Sequence, residues 1–183
     1  MRSAVVCLAG AIGSGKTSVA LGLASALDCP VASFGAYVRE VAARTGRGSS
    51  RKVLQEISEE LIASLGPRGL TRNLLASTVW EREQSLVVDG IRHPAVVAAL
   101  RAEVAPLPVI LAYLDVKPEV RRERLVARDN LSAQELDGFE LHSTERDVGT
   151  RVRALADVVL TADGQVEDTV AGVMNAIYSL PSP

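Results

Sequence analysis

Residues 10–17, GAIGSGKT, constrain this chain more than any other feature. They match G-x-x-x-x-G-K-[ST], and they follow an apolar run and open a helical pattern, the context in which such a loop works. Its glycines allow a turn tight enough for successive backbone N–H groups to converge on one anion. The N-terminus of the following helix adds about half a positive charge. Lys16 reaches the terminal phosphates of a nucleotide as a mobile point charge, and the Thr17 hydroxyl is placed to hold Mg²⁺. Nucleotide contacts are therefore expected from Gly10, Ile12, Gly13, Ser14, Gly15, Lys16, Thr17 and Ser18. Lysine occurs elsewhere only as Lys52 and Lys117, so a lysine at this point of a glycine-rich loop is not background.

The patterns around the loop predict alternating strands and helices. Residues 4–9 form a continuous apolar run, a buried strand. From Lys16 the period becomes helical, with Ala20, Leu23, Ala24 and Leu27 on one face, and Asp28, Cys29 and Pro30 end it. Further strands are expected at 31–34, 86–90, 109–115 and 157–160. Helices are expected at 36–45, from Val53 to a stop at Gly66 and Pro67, at 70–83 including Trp80, and at 94–103, 118–128 and 166–177. Residues 129–150 are polar and receive no assignment. Short apolar strands alternating with helices predict a parallel sheet covered on both faces. The fold class is thus α/β: three αβα layers around a five-stranded parallel sheet, in one domain of 183 residues. Aromatic residues make up only 3% of the chain, so Val, Leu, Ile and Ala must build the core.

Several functions are disfavoured. A net charge of −2 lacks the basic footprint of a general nucleic-acid binder. The first apolar run is too short for a signal peptide, and no 18-residue apolar stretch occurs, so no membrane partner and a cytoplasmic location are expected. Cys7 and Cys29 make neither a CxxC nor a ligand cluster with His93 and His142, and both are expected to be small packing residues.

With its third glycine, Gly13, the loop resembles that of the nucleoside monophosphate kinase superfamily, which includes deoxynucleoside monophosphate kinases and dephospho-coenzyme A kinases. The N-K-x-D guanine motif of GTPases is absent. The resemblance implies ATP as donor and Mg²⁺ as cofactor. Residues 89–92, DGIR, are similar to the family's D-G-[FI]-x-R, with the arginine one position sooner. It implies that Asp89 serves the metal ion or its waters on the substrate side, and that Arg92 grips the acceptor phosphate as a planar fork. Residues 33–40, SFGAYVRE, resemble [ST]-x-G-D-x-x-R, which makes Arg39 the other acceptor clamp. Ala36 stands where an aspartate is common, which leaves open a changed acceptor or weakened catalysis. Residues 35–83, with Gln55 and Glu56, look like the acceptor-binding insert, or simply cover the sheet.

Residues 114–116, LDV, precede Arg121, Arg124 and Arg128, which share one helical stripe. By composition this is a solvated face that Glu119 and Glu123 can pair with. The resemblance instead implies a lid spanning about residues 119–150, with Arg124 and Arg128 catalytic on the transferred phosphate and Arg121 on the nucleotide. His142, Ser143, Glu145 and Arg146 resemble an H-x-x-E element or form a surface loop, and residues 161–164 are expected to offer backbone to adenine. The expected function is transfer of the γ-phosphate of ATP to a small-molecule acceptor, a nucleoside or deoxynucleoside monophosphate. The alternatives are a dephospho-coenzyme A kinase-like or specialised-metabolite kinase, a non-catalytic nucleotide-binding module, and a motor or signalling NTPase. The expected assembly is a monomer or homodimer.

Overall fold

The computed structural model describes residues 3–129 and 148–179, without the side chains of residues 128 and 129. Five parallel strands form one sheet: β1 Val5–Gly10, β2 Val31–Ser33, β3 Leu86–Ile91, β4 Val109–Asp115 and β5 Val158–Thr161. Their spatial order is β2-β3-β1-β4-β5, which puts the strand that feeds the glycine-rich loop at the centre. Val5 pairs with both Leu86 and Val109, and Gly10 pairs with Leu114. The helices are α1 Lys16–Leu27, α2 Phe34–Arg44, α3 Arg51–Ala76, α4 Pro94–Glu103, α5 Pro118–Asp129 and α6 Val166–Tyr178, with a π-helical turn at Val148–Val152. The αβα architecture expected from the alternation is the one observed.

Side chains of a strand alternate between faces, so an apolar run supplies two cores at once. Val5, Cys7 and Ala9 of β1 pack with Leu86, Val88, Leu111 and Tyr113 beneath α2, α3 and α4. Val6 and Leu8 face the other way with Val87, Ile110, Ala112 and Leu114, against α1 and α6. The central strand is sealed, with every residue from Val5 to Ala9 at 0% exposure. Aliphatic residues do nearly all of this filling, as the scarcity of aromatics requires.

Three local expectations need correction. Strand β2 stops at Ser33 and α2 starts at Phe34, two residues before the expected 36. The cause is Ser33, whose Oγ accepts from Ala36 N at 3.3 Å and so turns the chain into a helix early. The stop at Gly66 and Pro67 is a kink rather than a gap: Gly66 alone is non-helical, at φ 66 and ψ 170, and Pro67 restarts the helix. Finally, α3 ends at Ala76, so Trp80 lies in a loop and not in a helix at 70–83. The Ser77 and Thr78 hydroxyls both donate to Leu74 O, at 2.8 and 2.9 Å. Such local bonds compete with the helical ladder. Trp80 packs on the core edge and donates from Nε1 to Gln84 O at 3.1 Å.

The two halves of α3 are held differently. Leu70, Thr71 and Leu74 of the second half are buried, and Arg68 and Arg72 clasp Glu103 of α4 at 2.7 and 2.9 Å. The first half, residues 51–65, leans out over the carboxyl ends of the strands and buries only Ile57. Cys7 is fully buried, which pushes its thiol up to about 12. Cys29 is half-buried and its thiol is also raised by burial. Neither forms a disulfide.

Candidate functional site

At the carboxyl ends of β1 and β3 the chain opens into a cleft of about 1170 Å³. Open α/β sheets place ligands at this edge, because there the loops diverge to either side. One end of the cleft is walled by Gly164, Val166 and Thr169, the middle by the glycine-rich loop, and the far end by α2 and the first half of α3.

The loop is built to meet an anion. Gly15 caps α1 in a left-handed conformation with φ 82, no side chain caps that helix, and no acid lies in its first turn. The first-turn amides and the helix dipole are therefore directed at the cleft. Lys16 Nζ curls over the loop, donating to Gly10 O and Ala11 O at 2.8 Å and to Ser14 Oγ at 3.3 Å. Gly13 (φ +84) is required twice over. A side chain there would be strained in that conformation, and a Cβ would sit 3.0 Å from Leu125 Cγ and 3.1 Å from Arg121 O. Helix α5 thus lies directly on the loop.

Thr17 and Asp89 meet across this floor. Thr17 Oγ1 donates to Asp89 Oδ2 at 3.0 Å. Asp89 is only 5% exposed, and its Oδ1 is buried with no hydrogen-bond partner among the described residues. The register between β1 and β3 slips just past it, from Leu8 opposite Asp89 to Ala9 opposite Ile91, a bulge of the kind that aims a side chain at a site. One hydroxyl and one carboxyl oxygen in want of a partner fit a hard cation. Mg²⁺ is held this way, by one or two protein groups plus substrate phosphates. Among the described residues no group of three His, Cys, Asp or Glu forms a protein-only cage.

Arg39 and Arg92 line the far half of the cleft. Arg39 sits over the backbone of Gly35, its Nη1 3.5 Å from where a Cβ on Gly35 would stand. His93, next to Arg92, caps α4, its Nδ1 accepting from Ala95 N at 3.2 Å. Ala36 presents no functional group at the head of α2. The α5 arginines divide. Arg121 Nε donates to Ile12 O at 3.0 Å, tying α5 to the loop. Arg124 lines the cleft beside Gly15, and its Nη2 donates to Asp163 O at 3.1 Å and Gly164 O at 3.4 Å. Asp163 is held from the other side by Lys117, whose N donates to Asp163 Oδ1 at 2.9 Å. The loop at 161–164 is therefore strapped to α5, and Arg124 stands at the end of the cleft walled by Gly164. The Arg128 side chain, together with His142, Ser143, Glu145, Arg146 and most of the expected lid, lies outside the described residues.

Sequence patterns did not single out Arg51 or Glu59, which line the cleft with Gln55. The signal was present in their four-residue spacing, which puts all three on one helical face.

Comparison with known proteins agrees with this fold. The AAA domain family model matches residues 6–163. A UPF0200 protein of Pyrococcus horikoshii is 29% identical over 161 residues, covering 85% of this chain and 86% of that protein. A cytidylate kinase of Pyrobaculum arsenaticum is 29% identical over 153 residues, covering 83% and 73%. The solved APS kinase of Mycobacterium tuberculosis superposes with a TM-score of 0.63 at 20% identity, covering 97% of this chain and 99% of that one. That last likeness is one of fold.

Proposed function

The chain belongs to the AAA domain family, a P-loop fold of the kinase superfamily, and on that premise we propose that it transfers the γ-phosphate of ATP to a phosphate-bearing small molecule, a nucleoside monophosphate. The observation that carries this reading is the pairing of Arg39 and Arg92, from separate elements, in the same cleft as Lys16 and Asp89. Two guanidinium forks at the acceptor end suit a dianionic phosphate, since each can bind two oxygens. Ala36 is consistent with it. An alcohol acceptor needs a base to take its proton, whereas a phosphate oxygen is already an anionic nucleophile.

In this reading the residues align rather than react. An acceptor phosphate oxygen bonds to the γ-phosphorus as the bond from that phosphorus to the β–γ bridging oxygen breaks, and ADP leaves. Lys16 and the α1 N-terminus offset the charge of the donor phosphates. Thr17 and Asp89 would hold Mg²⁺, which supplies neutralisation of phosphate charge when bound. Arg124 acts from the donor side, with Arg128 in the lid as its expected companion. Arg121 fixes α5 on the loop, so any motion of that helix is felt by the residues around the phosphates. A cytoplasmic enzyme acting as a monomer or homodimer completes the reading. No helix among the described residues is long and apolar enough to cross a membrane.

The test is ADP release with ATP, Mg²⁺ and a panel of nucleoside monophosphates, dephospho-coenzyme A and unphosphorylated nucleosides, with Lys16→Ala as the control that ties turnover to the loop. Arg39→Ala and Arg92→Ala should each raise the acceptor KM about 10- to 100-fold, the range for losing a charge-assisted contact. The ATP KM should barely move. Unchanged acceptor kinetics in both variants refute a phosphorylated acceptor.

A further inference from the structure

Helix α5 lies between two loops and is fixed to both. On one side Arg121 Nε donates to Ile12 O at 3.0 Å, and Gly13 leaves no room for a side chain beneath Leu125. On the other side Arg124 Nη2 donates to Asp163 O at 3.1 Å and to Gly164 O at 3.4 Å. The Asp163 carboxylate reaches back to the start of the helix, where its Oδ1 accepts from Lys117 N at 2.9 Å. Through its carbonyl and its carboxylate, Asp163 thus meets α5 at two points seven residues apart, about 10 Å at 1.5 Å per residue. The sheet guides this loop only as far as Ala162, whose N donates to Asp115 O at 2.8 Å. Residues 163 and 164 are bonded to α5 instead.

The strength of this tie lies in a backbone bond. Lys117 is the cap residue of α5, since its O accepts the first helical bond from Arg121 N at 3.0 Å. A carboxylate there meets the positive end of the helix dipole, and its bond to a backbone N–H is charge-assisted. The Lys117 ammonium adds less. Its Nζ stands 3.5 Å from Asp163 Oδ2 on a side chain that is 66% exposed, so water screens the pair. Ala162 and Gly164 line the cleft, while Asp163 between them turns its carboxylate to α5.

We infer that Asp163 is a positioning residue for the phosphate donor: by fastening α5 to the 161–164 loop, it makes the phosphate end and the nucleoside end of the donor surface act as one. This rests on the donor placement proposed above, with phosphates on the glycine-rich loop and the acceptor at Arg39 and Arg92, which leaves the Gly164 end for the donor nucleoside. The Asp163 carboxylate touches neither substrate. Its influence passes through Arg124 and the backbone of Ala162 and Gly164, and therefore falls on donor affinity and not on the acceptor. A surface ordered before the ligand arrives loses less freedom when it is filled.

The experiment measures Mg²⁺–ATP affinity by calorimetry, and inhibition of turnover by inorganic tripolyphosphate, which has phosphates but no nucleoside. Asp163→Ala should weaken ATP about tenfold, the scale of one charge-assisted bond, and leave tripolyphosphate inhibition and the acceptor KM within about twofold. Asp163→Glu keeps the charge but displaces the carboxylate by one methylene, and should weaken ATP in the same way; it carries the test if the alanine variant does not fold. Asp163→Asn retains an oxygen for Lys117 N and should recover most of the affinity. Lys117→Met retains the backbone N–H and should shift ATP by no more than about twofold. ATP affinity unchanged in both Asp163→Ala and Asp163→Glu overturns the positioning role and leaves the phosphotransferase standing. Equal loss for ATP and tripolyphosphate, or a raised acceptor KM, overturns it too, because the effect is then a general loosening of the fold. An unaltered protein that binds no ATP overturns both readings.

Discussion

Replacing Gly66 with alanine isolates the contribution of a single backbone conformation. Gly66 sits at φ 66 and ψ 170, a region that side-chain-bearing residues hardly enter. Apart from its chain neighbours and the backbone of its own helix, no heavy atom lies within 4 Å of where its Cβ would be, so an added methyl meets no other part of the protein. Steric clash is thereby removed from the sum, and only strain and the unfolded chain remain. The strain is about 1–3 kcal/mol. Alanine also has fewer unfolded conformations than glycine, which returns about 0.4–1 kcal/mol. The net destabilisation is about 1–2 kcal/mol, and at about 2–4 °C per kcal/mol for a chain of this size the melting temperature should fall by about 2–8 °C. Gly48 is the matched control, since it too has open space around it but no positive φ. Gly48→Ala should be neutral or slightly stabilising.

The same substitution should register at the cleft. The second half of α3 is anchored by Leu70, Leu74 and the Glu103 clasp, so the strain is relieved by movement of residues 51–65. Acceptor KM is then expected to rise while ATP KM holds, because Lys16 and its loop rest on β1 instead. Differential scanning fluorimetry with urea titration measures the first effect, and ADP-release kinetics the second. A Gly66→Ala melting temperature equal to or above that of Gly48→Ala would refute the backbone argument.

Three further outcomes follow from the geometry. Asp89→Asn keeps the shape of the side chain but removes the carboxylate from the floor of the cleft. It should reduce Mg²⁺-dependent turnover at least 100-fold (about 2.7 kcal/mol) and abolish the extra thermal stabilisation that Mg²⁺ adds to ATP, and retention of that shift counts against metal binding at Thr17 and Asp89. Cys7, raised to about 12 by burial with a smaller opposing influence from Arg101, should resist iodoacetamide at pH 8 until the protein unfolds, and labelling at the rate of a free thiol would contradict its placement. Hydrogen bonds from Arg72 first and Arg68 second hold Glu103 below the usual carboxylate range. Since the folded-state value is the lower one, the clasp contributes above the unfolded value and is lost as pH falls through the folded one. Carboxyl NMR should place the Glu103 midpoint low and return it upward in an Arg68→Ala, Arg72→Ala double variant.

What could be read in advance was whatever depends on local chemistry or strict period. The loop needed only its glycines, Lys16 and Thr17. Strand β4 and helix α4 emerged with the expected ends because β4 is apolar to the last residue before Asp115, and Pro94 and Glu103 bracket one amphipathic face. Asp89 was expected as a strand-ending acid, though β3 runs on to Ile91, and its contact with Thr17 Oγ1 is tertiary and no spacing reveals it. Helix ends were misjudged where a hydroxyl decides, at Ser33, Ser77 and Thr78, since serine and threonine signal both turns and helix caps. The far wall of the cleft was the least legible part. Arg51, Gln55 and Glu59 look like any solvated helix face until the kink at Gly66 and the pinning by Arg47 show which way that face turns.

The pairing of Val5 with Leu86 and with Val109 has a consequence for biosynthesis. The glycine-rich segment leaves the ribosome before β3 and β4, so the strand beneath it lacks a neighbour on one side until residue 91 has been translated and on the other until residue 114. A nascent polypeptide stalled before residue 86 displays the full GAIGSGKT motif on an unsupported, wholly apolar strand, and one stalled before residue 109 still lacks one of that strand's two neighbours. Such non-local pairings form slowly and leave hydrophobic edges uncovered meanwhile. Capture of ATP by ribosome-bound chains of increasing length should therefore begin abruptly once β4 has emerged, reporting assembly of the sheet rather than synthesis of the motif.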